Sequence, residues 1–330
     1  MNFKRIISCI DTHTEGDPTR FLINGVAMLP PVSMRERRDY FAENYDYLRR
    51  FLMNEPRGHA DMFGAVIADS IRDECDFGVF FMDPAGYLDF CGHGIIAAST
   101  VMMNVMEFKP RDSKGYLKIE TPAGVVKAHA ISERGSIGWE GVPSFLAESG
   151  VSVDCSVGRI SADIAYGGNY FAFVKSSDIG IRAKKENIPR LMPLALEIRD
   201  RLNEREWIHP ENGRKDKIKL VEILDEPIHP EARVRNVLIY GDGQLGRDPC
   251  GSGLSAKIAI EVAKGHLKMN EEYVYEGLLG TVFRGRAIKK LKIGPVEGII
   301  PEIEGKSFIT GMNQFILEED DPFPEGWLLR

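Results

Sequence analysis

The stretch Asp89-Phe90-Cys91-Gly92-His93-Gly94-Ile95-Ile96-Ala97 has an echo in Asp248-Pro249-Cys250-Gly251-Ser252-Gly253-Leu254-Ser255-Ala256. Both copies follow D-x-C-G-x-G-x-x-A. The two cysteines stand 159 positions apart (250 − 91), close to half of the 330 residues. One repeat at that distance reads as two similar domains, each carrying one copy, rather than a solenoid of short units. In each copy a strand ends, a cysteine follows and glycines open a short helix. The first helix is expected from Gly92 to near Met103. The second is expected from Gly251 to near Lys264, with Gly265 as its C-terminal stop.

A helix start offers backbone N–H groups without helical acceptors, and the helix dipole adds to their attraction for an anion. Glycine lets that anion approach the backbone closely. A thiol in this field is expected to ionise more readily than a free cysteine. Two such ends facing one carboxylate would put the neighbouring carbon between two sulfurs. One sulfur, as thiolate, would remove a proton, and the other, as thiol, would return one from the opposite face. The field would also stabilise negative charge spreading onto the carboxylate. Neither a metal nor an organic cofactor is called for.

Other readings of the same residues stand beside this one. Both copies can be tight turns with buried cysteines. Cys91 and His93 can be metal ligands, although no partner pair follows them. A Cys–His nucleophilic hydrolase uses one copy and leaves the second idle. A two-lobed protein can hold a carboxylate without turning it over. A phosphate loop is not supported, because G-x-x-x-x-G-K-[ST] is absent.

The rest of the chain sets the context. Its length suits two domains, and 43% hydrophobic residues is ordinary for a globular protein. A net charge of −7 argues against broad nucleic-acid binding. Nothing approaches a membrane helix, and Met1 to Cys9 shows no signal-peptide core, so a cytoplasmic protein is expected. The basic clusters Arg35 to Arg38 and Lys289-Lys290 read as solvated faces. The remaining cysteines, Cys9, Cys75 and Cys155, are odd in the total and widely spaced, which reads as small buried apolar residues without disulfides. Strands are expected at Phe77–Met82, Val125–Ile131 and Val234–Tyr240. An amphipathic surface helix is expected over Ile188–Arg205, and a polar loop from Glu206 to Lys219.

With these residues in view, the chain resembles the proline racemase family, whose fold is like that of diaminopimelate epimerase. The resemblance rests on Asp11 to Arg20, Glu55 to Ala65, Cys91 to Gly94, Thr121 to Gly124, Gly167 to Ala172, Pro249 to Gly253 and Ile309 to Asn313. His93 after Gly92 is similar to this family rather than to diaminopimelate epimerase itself, which usually has Asn there. The resemblance implies an α/β (α+β) fold of two domains, each a curved, mostly antiparallel sheet or barrel around a central helix. The expected spans are 1–150, joined by about 308–330, and 151–307, with the active site between them. It implies an isomerase acting on proline or a hydroxyproline, with Cys91 and Cys250 as catalytic thiols, no cofactor, no metal, and a homodimer. Dehydratases in the family usually lack the first cysteine, which Cys91 supplies here. A trans-3-hydroxy-L-proline dehydratase, or a racemase of another amino acid, is the alternative.

By the same resemblance, Gly92, His93, Gly251 and Ser252 hold the substrate carboxylate, and His93 also lies near the amine. Phe63, Leu88, Tyr170 and Tyr240 line the ring pocket, although each also reads as a core residue. The family pattern D-R-S-P-C before the second cysteine places an acid on the substrate amine. Here that position is Gly246, and an acid appears two places later at Asp248. Asp248 either takes over the amine contact or caps the helix behind Cys250.

Overall fold

The computed structural model describes residues 3–26 and 28–329. The chain divides into two compact units, residues 1–139 with 306–330 and residues 140–305. The sequence reading set these breaks later, near 150 and 308; the ends of its spans at residues 1, 2 and 330 lie outside the described residues.

The first unit opens with β1 (Phe3–Thr14) and β2 (Asp17–Asn24), followed by α1 (Met34–Met53), β3 (Gly64–Ala68), β4 (Phe77–Asp83) and β5 (Gly86–Leu88). Then come α2 (Gly92–Asn104), β6 (Leu117–Thr121), β7 (Gly124–Ile131) and β8 (Ser136–Glu140). Strands β1 and β2 pair antiparallel, β2 and β3 parallel, β3 and β4 antiparallel, β4 and β6 parallel, and β6 and β7 antiparallel. β5 forms a short flap on β4. Each parallel pair requires a crossover, and α1 and α2 supply the two crossovers.

The second unit contains β9 (Phe145–Cys155), β10 (Gly158–Tyr166), β11 (Tyr170–Lys175), α3 (Ser176–Ile179) and α4 (Ile188–Leu202). A small hairpin of β12 (Trp207–Ile208) and β13 (Lys215–Asp216) precedes β14 (Ile218–Asp225), β15 (Val234–Tyr240) and β16 (Gln244–Gly246). Next are α5 (Gly251–Ala263), β17 (Tyr273–Glu276), β18 (Val282–Ile293) and β19 (Val296–Gly305). The pairing plan repeats. β10 and β11 are antiparallel, β11 and β14 parallel across α4, β14 and β15 antiparallel, β15 and β17 parallel across α5, and β17 and β18 antiparallel. β16 is the flap on β15. The chain then returns to the first unit with β20 (Ser307–Glu318), which pairs with β1 as β9 pairs with β10. The motif repeat is thus one pair of corresponding positions in a repeated topology, and the sheets are mostly antiparallel.

Sequence explains the two kinds of helix. Residues Gly92 to Met102 of α2 and Gly251 to Ile260 of α5 are buried around nearly the whole circumference. A helix with small and apolar residues on nearly every side belongs inside a sheet. α2 packs on β1, β2, β7 and β20, and α5 packs on β9, β10, β18 and β19. Helices α1 and α4 are amphipathic and cover the outside. α4 buries Leu191, Leu194, Ala195, Ile198 and Leu202 into the second unit's core.

Four features differ from the sequence reading. Helix α1 was not expected, because Arg35 to Arg38 looked like a solvated face. Instead, Arg37 is buried and its Nε donates to Pro30 O at 2.8 Å, while Arg35 and Arg38 pair with the buried Asp89. The charges are satisfied by carbonyls and by one carboxylate, which makes burial tolerable. The polar 206–219 segment holds the β12–β13 hairpin, anchored by the buried Trp207. Cys155 is half-buried, its thiol donating to Gly158 O at 3.2 Å across a hairpin end, whereas Cys9 and Cys75 are buried. The amphipathic helix ends at Leu202 rather than Arg205.

Candidate active site

In the first unit Cys91 is the N-cap of α2, and Gly94 N–H donates to its sulfur at 3.3 Å. In the second unit Cys250 is the N-cap of α5, and Gly253 N–H donates to its sulfur at 3.3 Å. A cysteine thus fills the place usually taken by Ser or Asp, with sulfur as the capping acceptor. The alternative that Asp248 caps α5 is overturned, since the cap bond belongs to Cys250. Gly92 and His93, like Gly251 and Ser252, occupy the first two helical positions, whose N–H groups lie outside the helical ladder.

The glycines are sterically required. A Cβ on Gly94 would meet the Phe81 ring, and one on Gly253 would overlap the Glu222 carboxylate and approach Cys250 Sγ to 2.9 Å. The strand hairpin next to each helix start is equally close. Thr14 Oγ1, at the end of β1, donates to His93 O at 3.2 Å. In the second unit a Cβ on Gly167 would overlap Ser252 O and lie 2.8 Å from Ala256 N.

The surroundings of the two sulfurs differ. Cys91 shares a hydrogen bond with His93 Nδ1 at 3.2 Å. Burial pushes the His93 ring below the ordinary histidine range, with Asp17 pulling weakly the other way, so the imidazole is neutral near pH 7. Phe63 stands edge-on to His93 with ring centroids 4.7 Å apart, which brings it into the Cys91 site. Leu88 ends β5, opposite Phe81, just before Cys91. Behind Cys91, Asp89 is held by Arg35 at 3.0 Å and by Arg38.

Cys250 has Ser252 Oγ at 3.9 Å where Cys91 has a histidine. Its backbone is in the left-handed region, φ 64° and ψ 96°, which costs a non-glycine residue about 1–3 kcal/mol. Burial raises its thiol well above the ordinary cysteine value, and the Glu222 and Asp248 carboxylates add to that, while the Gly253 N–H opposes it. The expectation of a readily ionised thiol is therefore overturned at Cys250: desolvation and two acids outweigh the Gly253 N–H. Asp248 itself is buried. Asn236, fully buried, holds the loop by donating to Pro249 O at 2.9 Å and Glu276 O at 3.1 Å.

Tyr170 packs in the second unit's core, with Phe145 at 6.2 Å, Tyr166 at 5.2 Å and Trp207 at 6.2 Å between ring centroids. Tyr240 is buried at the end of β15, in register with Gln244 of the flap. Sequence reasoning missed Glu222, Tyr275, Asn236 and Thr14. For Glu222 the signal was available: a lone acid inside the apolar run Leu220-Val221-Glu222-Ile223-Leu224.

The family described as proline racemase matches residues 9–328. The chain belongs to the proline racemase family. It is an isomerase by that membership. It is 41% identical over 335 aligned residues to the proline racemase of Clostridioides difficile, covering 100% of both chains. It is 35% identical to the 4-hydroxyproline 2-epimerase of Ancylobacter novellus, over 97% of this chain and 98% of that one. Among solved structures it matches a hydroxyproline epimerase from Agrobacterium vitis with bound trans-4-hydroxy-L-proline. The TM-score is 0.90 at 26% identity, over 100% of this chain and 97% of the other. Gly246 stands where the sequence reading expected an acid. A Cβ there would meet Leu238 side-chain atoms from 2.8 Å, so Leu238 fills the space of any side chain at 246. Among the described residues no helix is long and apolar enough to cross a membrane.

Proposed function

We propose that this racemase-family protein inverts the α-carbon of proline or a hydroxyproline, with Cys91 and Cys250 as the bases on opposite faces of that carbon. The observation that carries the reading is the duplicated sulfur cap, with the same 3.3 Å N–H to sulfur bond at the start of both buried helices. One thiolate takes the α-proton and the other thiol returns a proton from the far side; no electrons are transferred to a cofactor. Helix N–H groups at Gly92, His93, Gly251 and Ser252 receive the carboxylate and stabilise the charge that spreads onto it. Asp248, buried and electrostatically felt by Cys250, meets the substrate amine in place of an acid at 246. Phe63 and Leu88 enclose the ring on the Cys91 side, and Tyr240 and Tyr170 belong to its wall in the second unit. The relatives named above, a proline racemase and a 4-hydroxyproline 2-epimerase, support this substrate class.

The test is α-proton exchange in deuterated water across L- and D-proline, trans-4-hydroxy-L-proline, trans-3-hydroxy-L-proline and acyclic amino acids. Inversion of proline or 4-hydroxyproline is expected. Exchange confined to acyclic amino acids, or loss of water from 3-hydroxyproline alone, would overturn the substrate assignment. The reading includes a cytoplasmic homodimer, which fractionation and sedimentation would check.

A further inference from the structure

Glu222 sits in the middle of β14 with no solvent exposure. One carboxylate oxygen, Oε2, accepts the Tyr275 hydroxyl of β17. The other, Oε1, takes no N–H or O–H donor among the described residues. That oxygen lies beside Gly253, in the space a Cβ would occupy, and Cys250 Sγ borders the same space. The thiol and the carboxyl face each other. A buried carboxyl with one oxygen left over is costly unless a proton or a donor reaches it. The group positioned to supply that proton is Cys250.

We propose that Glu222, clamped by Tyr275, shares a proton with Cys250, so that the sulfur and the carboxyl act as one acid–base unit. In the one-proton state the negative charge passes between carboxylate-plus-thiol and carboxylic-acid-plus-thiolate. In the two-proton state both groups are neutral. Removing a substrate proton takes the unit from one proton to two, with the new S–H bond formed as the substrate C–H bond breaks. Delivering a proton reverses this. Glu222 acts through Cys250 and is a positioning residue.

Several groups face this pair: Tyr275 and Tyr273 on β17, Lys257 on α5, and Asp248 in the loop before Cys250. Lys257 is already engaged with Glu261 at 2.5 Å. Burial raises Glu222 to about 8, against smaller opposing pulls from Tyr275, Cys250 and Lys257. Cys250 lies well above the usual thiol value, in part because of Glu222. Two interacting groups of this kind lose their protons in two steps that belong to the pair. The one-proton form is thereby available near physiological pH, which a lone buried thiol would not allow. In the first unit the glycine equivalent to Gly253 is Gly94, and it packs on the Phe81 ring rather than on a carboxylate.

The inference rests on Cys250 as a base in the function proposed above, but its main test needs no turnover. Full-length protein is alkylated with iodoacetamide across a pH series, and the rate is read by mass spectrometry on the peptide carrying Cys250. The wild type is expected to show two limbs, one near 8 and one above the ordinary cysteine range. Glu222→Gln cannot share the proton, so one limb should remain, lying between those two. Its rate at neutral pH should fall by about tenfold, the size of a one-unit shift. Tyr275→Phe removes the hydrogen bond that favours ionised Glu222, and should move the first limb to higher pH. A folded Glu222→Gln variant whose profile overlays the wild type would overturn the proposal. Should that variant not fold, an unmoved first limb in Tyr275→Phe would do the same. With a substrate in hand, kcat of Glu222→Gln should fall while KM stays within about twofold. Loss of turnover in the wild type with a two-limbed alkylation profile would sink the assigned function and leave the pair standing.

Discussion

The two helix starts share a backbone plan and differ in what stands behind the sulfur. At Cys91 the neighbour is a neutral imidazole, packed edge-on against Phe63. At Cys250 the neighbours are a carboxyl and a hydroxyl, and the cysteine backbone is itself strained. A duplicated fold has therefore kept the geometry that positions a thiol and changed the chemistry that sets its proton. For a reaction that needs one sulfur protonated and the other not, unequal surroundings are an advantage. In the proposed reaction each sulfur loses and regains its proton in turn, and the two do so beside different partners.

The largest effect expected is loss of both thiols' chemistry one at a time. Cys91→Ser and Cys250→Ser should each lower kcat for inversion by about a thousandfold, because a serine hydroxyl is too weak an acid and base at neutral pH. Chiral chromatography would measure it, and near wild-type inversion by either variant would break the comparison at its root. Next comes His93→Asn, which should cut kcat by about a hundredfold and leave the alkylation profile of the Cys250 peptide unchanged. A change at Cys250 would show that the two sulfurs are not separately tuned.

The glycines give a smaller, structural contrast. Gly94→Ala and Gly253→Ala should each destabilise by about 1–3 kcal/mol through overpacking, read from urea unfolding. Gly253→Ala alone should also disturb Cys250 alkylation, since its methyl group would displace Glu222.

The effects of pH on stability run in opposite directions. His93 is held below its ordinary 6.5, so the unfolded chain binds its proton first and stability falls as pH drops below that value. Glu222 is raised from 4.5 to about 8, so the unfolded chain releases its proton first and stability falls as pH rises across that interval. In melting temperatures taken across this range, His93→Asn should remove the fall below pH 6.5, and Glu222→Gln the fall between pH 4.5 and about 8. Swapped or unchanged slopes would contradict the assignments.

Much of this was legible because two levels of sequence pattern agreed. The echo of Asp89–Ala97 in Asp248–Ala256 marked both helix starts, and the Ile- and Ala-rich runs after each cysteine marked the helices themselves. The strands at Phe77, Val125 and Val234 followed from apolar β-branched and aromatic content. Helix α1 escaped because its charges hid its periodicity, although Ser33 and Glu36 form a capping box that spells out its start. The state of Cys250 also escaped. Its partners Glu222 and Tyr275 lie far away in sequence and are brought to it by the pairing of β14 with β15 and of β15 with β17. Helix-start electrostatics can be read from a motif, whereas desolvation by distant residues cannot.

The central claim is that two thiols serve opposite faces of one carbon. It is tested most directly by running the inversion of a single enantiomer in deuterated water and analysing both pools in the first few per cent of reaction. Product should carry one deuterium at the α-carbon from the earliest turnovers, while recovered substrate stays almost unlabelled for the enantiomer whose proton Cys91 removes and takes up some label for the other, whose proton joins the one that Cys250 shares with Glu222. Product that retains the original proton, or substrate and product that label at equal rates from the start, would mean that one group serves both faces and would contradict the account.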